Sequence, residues 1–325
     1  MFIDASYVNA LCLDGKKLIF FIKDQSNFQF RKKIELSKEI YFQFRWSIMN
    51  LIPEIDLKNN EKIPQLGLGT WGLKNSQCEE TVEKALEIGY THIDTAESYG
   101  NEDRIGDIVS RRDRSNLFIT SKVWPCNLHY EDVLNSCKSS LEKLNTGYLD
   151  LYLIHWPNEA VSIRETLHAM KRLHDKGLVK SIGVSNFGVN QLKIAVEVSE
   201  LPICVNQVEF HPWLYRKNLL NFCEENDIVI TASAPLARTK VLHDETIKEL
   251  AEKYQKTPAQ IVLKWEIEKG VVTIPKTRSE KHLRENFHLF DWDIKPNDVE
   301  KIDEIPKMEK CYEHNFDASW IHGYS

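Results

Sequence analysis

Residues 117–156 read LFITSKVWPCNLHYEDVLNSCKSSLEKLNTGYLDLYLIHW. Two apolar runs, LFITSKV at 117–123 and LDLYLIHW at 149–156, flank a helix-like segment. Lys122 lies near the end of the first run and His155 near the end of the second. Short runs this rich in Leu, Ile, Val and Tyr predict buried strands, and strands covered on both faces belong to parallel sheets.

Working outward, the same alternation begins at IPQLGLGT (63–70) and THIDTA (91–96). It resumes at SIGVSN (181–186), ICVNQVEF (203–210), IVITASAP (228–235) and GVVTIPK (270–276). The segments between carry helix signals. Ser76 with Glu79 predicts a capping box, Val82, Ala85 and Leu86 share one face, and Gly89 predicts the stop. TPAQIVLKWEIEKG (257–270) repeats the plan, with Pro258 in the first turn and Gly270 at the end. Eight such runs predict an α/β fold, a (β/α)8 TIM barrel, with its active face at the C-terminal strand ends. A short N-terminal β-hairpin, turning at Asn59-Asn60, is expected just before it.

Gly67-Leu68-Gly69-Thr70-Trp71-Gly72 matches the dinucleotide fingerprint G-x-G-x-x-G, with Asp94 near the usual acidic position. That motif requires a helix opening inside the glycine turn. Here the expected helix start is near Gln77, and Trp71 stands where a pyrophosphate would approach, so the match reads as accidental.

The chain has 325 residues and net charge −6, which points to neither nucleic acid nor an anionic membrane as partner. Its seven cysteines include no CxxC pair, no metal site is expected, and free thiols in a reducing cytoplasm fit the pattern. Residues 1–48 differ from the rest. Residues 1–50 hold 10 of the 33 aromatics and carry a net +3. Residues 1–48 read as an atypical extension, with Met49 as an alternative start to a barrel at 49–325.

Four polar residues stand at or just past successive runs: Asp94, Tyr99, Lys122 and His155. Each alone has a bland reading, as a cap, a turn residue or a core histidine. Together they suit carbonyl reduction. Tyr99 would supply the proton, Lys122 would bring the phenol's pKa down, Asp94 would hold Lys122 charged, and His155 would orient the carbonyl.

GYTHIDTAESYGNE, SKVW, DLYLIHWP, GLVKSIGVSNF, NQVEFHPWL and IPKTRSEKHLRENF occur in one order, and over about residues 51–305 the chain resembles the aldo-keto reductases. The resemblance implies NAD(P)H-dependent reduction of a small-molecule carbonyl substrate, commonly by a monomer. It places the nicotinamide carboxamide on Ser185, Asn186 and Gln207, and assigns Ser233 and Leu236 to the cofactor cleft. It gives the adenosine end to Lys276, Thr277, Arg278, His282, Glu285 and Asn286. A capping box of Thr277 with Glu280 would set Lys276 and Arg278 beside a helix N-terminus suited to a 2′-phosphate. Trp71, Trp124 and Trp156 match positions that wall the substrate pocket.

Two positions depart from the pattern. His282 replaces a usual Arg, which weakens a phosphate clamp and makes NADH or dual use credible beside NADPH. Ser233 replaces an aromatic that stacks on the nicotinamide, predicting a weaker cofactor grip unless another ring fills the gap. The loops after the third and seventh strands are short, implying an open site for small aldehydes or keto-sugars. Trp320, in FDASWIHGYS, either covers the pocket or frays. A regulatory barrel that senses cofactor with little turnover is the alternative from another functional class.

Overall fold

The computed structural model describes residues 10–14, 17–24, 27–35 and 52–312. The chain divides into two compact units, Met1–Leu51 and Ile52–Ser325. In the first, strands β1 (Ala10–Asp14), β2 (Lys17–Asp24) and β3 (Asn27–Glu35) form an antiparallel sheet in that order. The sequence reading gave residues 1–48 only as an atypical extension. Trp320 lies outside the described residues.

The second unit opens with a hairpin of β4 (Glu54–Asp56) and β5 (Lys62–Pro64), pairing Ile55 with Ile63. Asn60 takes the turn at φ 67°, a left-handed value that Asn tolerates. Eight parallel strands follow: β6 (Gly67–Gly69), β7 (His92–Asp94), β8 (Phe118–Val123), β9 (Leu149–Ile154), β10 (Val179–Ser185), β11 (Ile203–Glu209), β12 (Val229–Ser233) and β13 (Val272–Thr273). Each pairs with its sequence neighbour, and Leu66 bridges Thr273 in parallel to close the ring. The expected (β/α)8 barrel is the fold.

Strand period explains the two apolar layers. Leu151 and Leu153 point into the barrel with Phe118, Val205, Val272 and Ile274, while Tyr152 and Ile154 face the helices. Leu57 and Ile63 of the hairpin join the inner cluster, so the hairpin plugs one end of the barrel. Burying each such side chain stabilises by roughly 1.5–3 kcal/mol. The outer layer is built by helices such as Ile163–Asp175, whose buried Thr166, Leu167, Ala169, Met170 and Leu173 recur at helical spacing.

The fingerprint-like glycines have a packing role. A Cβ on Gly67 would meet the His92 ring at 2.6 Å, and one on Gly69 would meet the Ile274 carbonyl at 2.5 Å. Close approach of β6 to its neighbours on either side therefore requires both. The first helix runs Asn75–Ile88 and ends on Gly89 as expected, but its capping residue is Lys74, without a side-chain bond. The Ser76–Glu79 box does not form. Ser76 already lies within the helix, and Glu79 binds Arg104 at 3.1 Å instead. Thr257 does make a reciprocal box with Gln260 around Pro258.

Candidate active site

The strand period that fills the barrel also aims the polar residues. On β8, Phe118 is followed on the same face by Thr120 and Lys122; on β9, Leu151 and Leu153 are followed by His155, one residue past the strand. Asp94 closes β7, and Tyr99 lies in the 3-10 turn Glu97–Tyr99 that follows. Lys122 is fully buried and Asp94 nearly so. The four residues meet at the C-terminal end of the barrel, as the sequence predicted.

Lys122 Nζ has three protons and three acceptors: Asp94 Oδ1 at 2.6 Å, the Thr95 carbonyl at 2.8 Å and the Tyr99 hydroxyl oxygen at 3.4 Å. Because the Tyr99 oxygen accepts from Lys122, its own O–H is left to donate elsewhere. The Tyr99 and His155 rings meet edge to face at 5.6 Å, and His155 meets Trp124 likewise at 5.1 Å. Ser98 Oγ lies 3.5 Å from His155 Nδ1. Glu97 accepts the Trp124 backbone N–H and the Asn127 side-chain amide, which fixes the loop carrying the indole.

The electrostatics differ from the sequence expectation in one respect. Burial first, and the Asp94 carboxylate second, push the Tyr99 phenol well above its ordinary value rather than below it. Lys122 is itself pulled below its ordinary value by burial, against the opposing pull of Asp94. Lys122 is shared between Asp94 and the phenol oxygen, and in the resting site burial and the Asp94 carboxylate set the direction of the phenol's shift. Tyr99 therefore stands protonated at neutral pH.

A cavity of ≈ 750 Å³ opens over this cluster. Asp94, Tyr99, His155, Ser185, Asn186, Gln207, Ser233, Leu236 and Lys276 line it, as do Trp71, Trp124 and Trp156. Trp71 is 57% exposed, so it forms a rim rather than core packing. Asn186 adopts φ 64° and donates its side-chain amide to the His155 carbonyl at 2.9 Å and to Ser185 Oγ at 3.1 Å. Gln207 donates to Asp94 Oδ2 at 2.6 Å. Among the lining residues that sequence reasoning missed are Arg238 and Tyr312. Arg238 lies on a turn with no strand signal, its guanidinium 5.3 Å from the Trp71 ring centroid. Tyr312 comes from beyond the matched motifs, and no local pattern marks it.

The residues that the resemblance gave to the adenosine end divide. Lys276 lines the cavity, with its ammonium pulled below its ordinary value by burial and then by Arg278. Thr277, Arg278, His282, Glu285 and Asn286 do not line it. The expected Thr277–Glu280 box is absent: Ser279 caps the helix Glu280–Phe287 by accepting the His282 N–H at 3.4 Å. Glu280 is held by Arg284 at 2.8 Å, and Thr277 Oγ1 accepts the Ser279 N–H at 3.1 Å. Arg278 reaches the Gly72 carbonyl at 3.4 Å. Asn286 is buried.

A model of the aldo/keto reductase family matches residues 65–307. The chain belongs to the aldo/keto reductase family. It is 40% identical over 259 residues to a glyoxal reductase of Bacillus subtilis, covering 79% of this chain and 94% of that protein. A solved aldo/keto reductase from Brucella melitensis is 40% identical with a TM-score of 0.75, over 78% of this chain and 99% of the other. An aldo-keto reductase solved in complex with NADPH is 31% identical with a TM-score of 0.77, over 81% and 90% of the two chains. By family this chain is an oxidoreductase, and nothing among these relatives supports the regulatory alternative. Among its described residues no helix is long and apolar enough to cross a membrane.

Proposed function

We propose that this chain reduces the carbonyl group of small aldehydes or keto-sugars with NADPH, acting as a monomer in the cytoplasm. The observation that carries the reading is the Lys122 ammonium. It is bonded at once to Asp94 and to the Tyr99 oxygen, both of which line a cavity large enough for a small substrate and a nicotinamide together. Cys78, Cys126, Cys137, Cys204, Cys223 and Cys311 are free, in keeping with a reducing compartment.

The residues present suit the cofactor. Ser185, Asn186 and Gln207 offer a hydroxyl and two side-chain amides at the cavity wall, both donors and acceptors, as a carboxamide requires. Lys276, Arg278 and the first turn of Glu280–Phe287 offer cations and backbone N–H groups for a 2′-phosphate. When bound, the cofactor supplies the hydride.

This chain's residues supply the rest. Tyr99 donates its O–H to the carbonyl oxygen as charge develops there. Lys122, already donating to the same phenol oxygen, stabilises the phenolate that remains, and Asp94 keeps Lys122 aimed. His155 orients the carbonyl, and the three tryptophans shape its apolar side.

The test is absorbance decay of NADPH, and separately NADH, against glyceraldehyde, methylglyoxal and an aromatic aldehyde. Turnover is expected with the wild-type chain. With Tyr99→Phe it is expected to fall by about 10²–10⁴ while NADPH affinity is kept. A Tyr99→Phe enzyme as fast as wild type would remove Tyr99 from the mechanism.

A further inference from the structure

Strand β12 ends on Ser233, followed by Ala234 and Pro235, so no ring comes from this part of the cavity wall. A segment from the far end of the chain reaches the same place. After the helix Pro296–Asp303, residues 305–312 cross to the strand ends and are tied down along their length. The Glu309 N–H donates to the Trp213 carbonyl at 2.7 Å, and Lys307 Nζ lies 3.1 Å from the Trp213 ring centroid. Lys240 pairs with Glu309 at 2.6 Å. The Cys311 N–H donates at 2.5 Å to the buried carboxylate of Glu209, the last residue of β11.

The next residue, Tyr312, lies against Ser233. The two hydroxyl oxygens are 2.6 Å apart, and the Tyr312 ring meets Trp156 edge to face at 6.1 Å. The guanidinium of Arg238 is 5.9 Å from the same ring. The two residues are complementary. A side chain as short as serine leaves space for a phenol to enter, and a large ring at 233 would compete for that volume. Its hydroxyl also satisfies a phenol oxygen that is otherwise enclosed.

We propose that Tyr312, tethered through Ser233, is the aromatic residue that grips the nicotinamide ring in this chain. The grip normally supplied from the seventh strand comes instead from the C-terminal strap. The proposal rests on the NADPH-dependent reading above and deepens it.

The test is NADPH titration of the full chain, followed by quenching of tryptophan fluorescence, so that binding is read without turnover. Tyr312→Ala is expected to raise the Kd about tenfold, and Tyr312→Phe, which keeps the ring, only about two- to threefold. The double variant Ser233→Tyr with Tyr312→Ala returns a ring from the strand side and is expected to recover most of the loss. That rescue separates a lost ring from a merely loosened strap. An unchanged or tighter Kd in Tyr312→Ala would overturn the proposal, marking Tyr312 as a substrate wall or as an occupant the cofactor displaces. A wild-type chain that binds no NADPH would instead remove the functional reading, and this proposal with it.

Discussion

Gln207 donates its side-chain amide to Asp94 Oδ2 at 2.6 Å, leaving Oδ1 to Lys122 at the same distance. A residue from the sixth barrel strand thus fixes the carboxylate of the second, and the carboxylate fixes the lysine of the third. Asp94→Asn keeps the shape but leaves a buried ammonium without its counter-ion. Removing one partner of a buried pair costs about 3–5 kcal/mol, and lysine can avoid part of that by losing its proton. We expect a fall in thermal midpoint together with a loss of kcat of about 100-fold, read by calorimetry and by NADPH-coupled turnover. Unchanged stability would mean that Lys122 is not charged in the resting enzyme.

The direction of the Tyr99 shift sets the pH profile. The reducing reaction needs the protonated phenol, and the folded chain holds that group well above its ordinary value of 10.0. Below that value the donor form is already fully populated, so kcat for reduction should be flat from about pH 6 to about pH 9. Alcohol oxidation needs the phenolate and should rise about tenfold per pH unit over the same range. A reduction rate that falls with a midpoint near neutrality would show that Lys122 does lower the phenol when cofactor is bound.

The parts of the site that were legible in the sequence are those carried by strands. A parallel barrel buries both faces of each strand, so the runs stay apolar and a polar residue at their end stands out; Asp94, Lys122 and His155 were visible for that reason. Tyr99 was visible because it lies in the turn directly after Asp94. Tyr312 was not, because its place depends on a strap held by Glu209, Trp213 and Lys240, and no local spacing encodes such contacts. The capping boxes failed for a related reason. The helices start elsewhere than the local pattern suggested, capped at Lys74 and Ser279, which leaves Glu79 and Glu280 to pair with Arg104 and Arg284. The Tyr99 shift reversed because burial, which a sequence does not display, outweighs a cation shared with Asp94.

His282 occupies the first turn of the helix Glu280–Phe287 and is exposed, with its backbone N–H on Ser279. A neutral imidazole offers one N–H where a guanidinium offers a planar fork of five. His282→Arg should therefore tighten NADPH by about tenfold and leave NADH nearly unchanged, since only NADPH carries the 2′-phosphate. Fluorescence titration with each cofactor reads the ratio. Equal gains for both would place the new arginine on the shared pyrophosphate rather than on the 2′-phosphate.

A chain beginning at Met49 should keep fold and turnover. The family match starts at residue 65, but the hairpin Glu54–Pro64 cannot be dispensed with in the same way. Leu57 and Ile63 pack against Phe118, Leu151 and Leu153 inside the barrel, and removing both would forfeit roughly 3–6 kcal/mol of burial and open the core to water. Met49 leaves that hairpin whole and removes only residues of the separate unit Met1–Leu51. We expect kcat within about twofold of the full chain and a thermal midpoint within a few degrees. A chain beginning at Gln65 should instead be destabilised enough to aggregate on expression. If the Met49 chain loses turnover while staying folded, the three-stranded sheet of residues 10–35 belongs to the catalytic account.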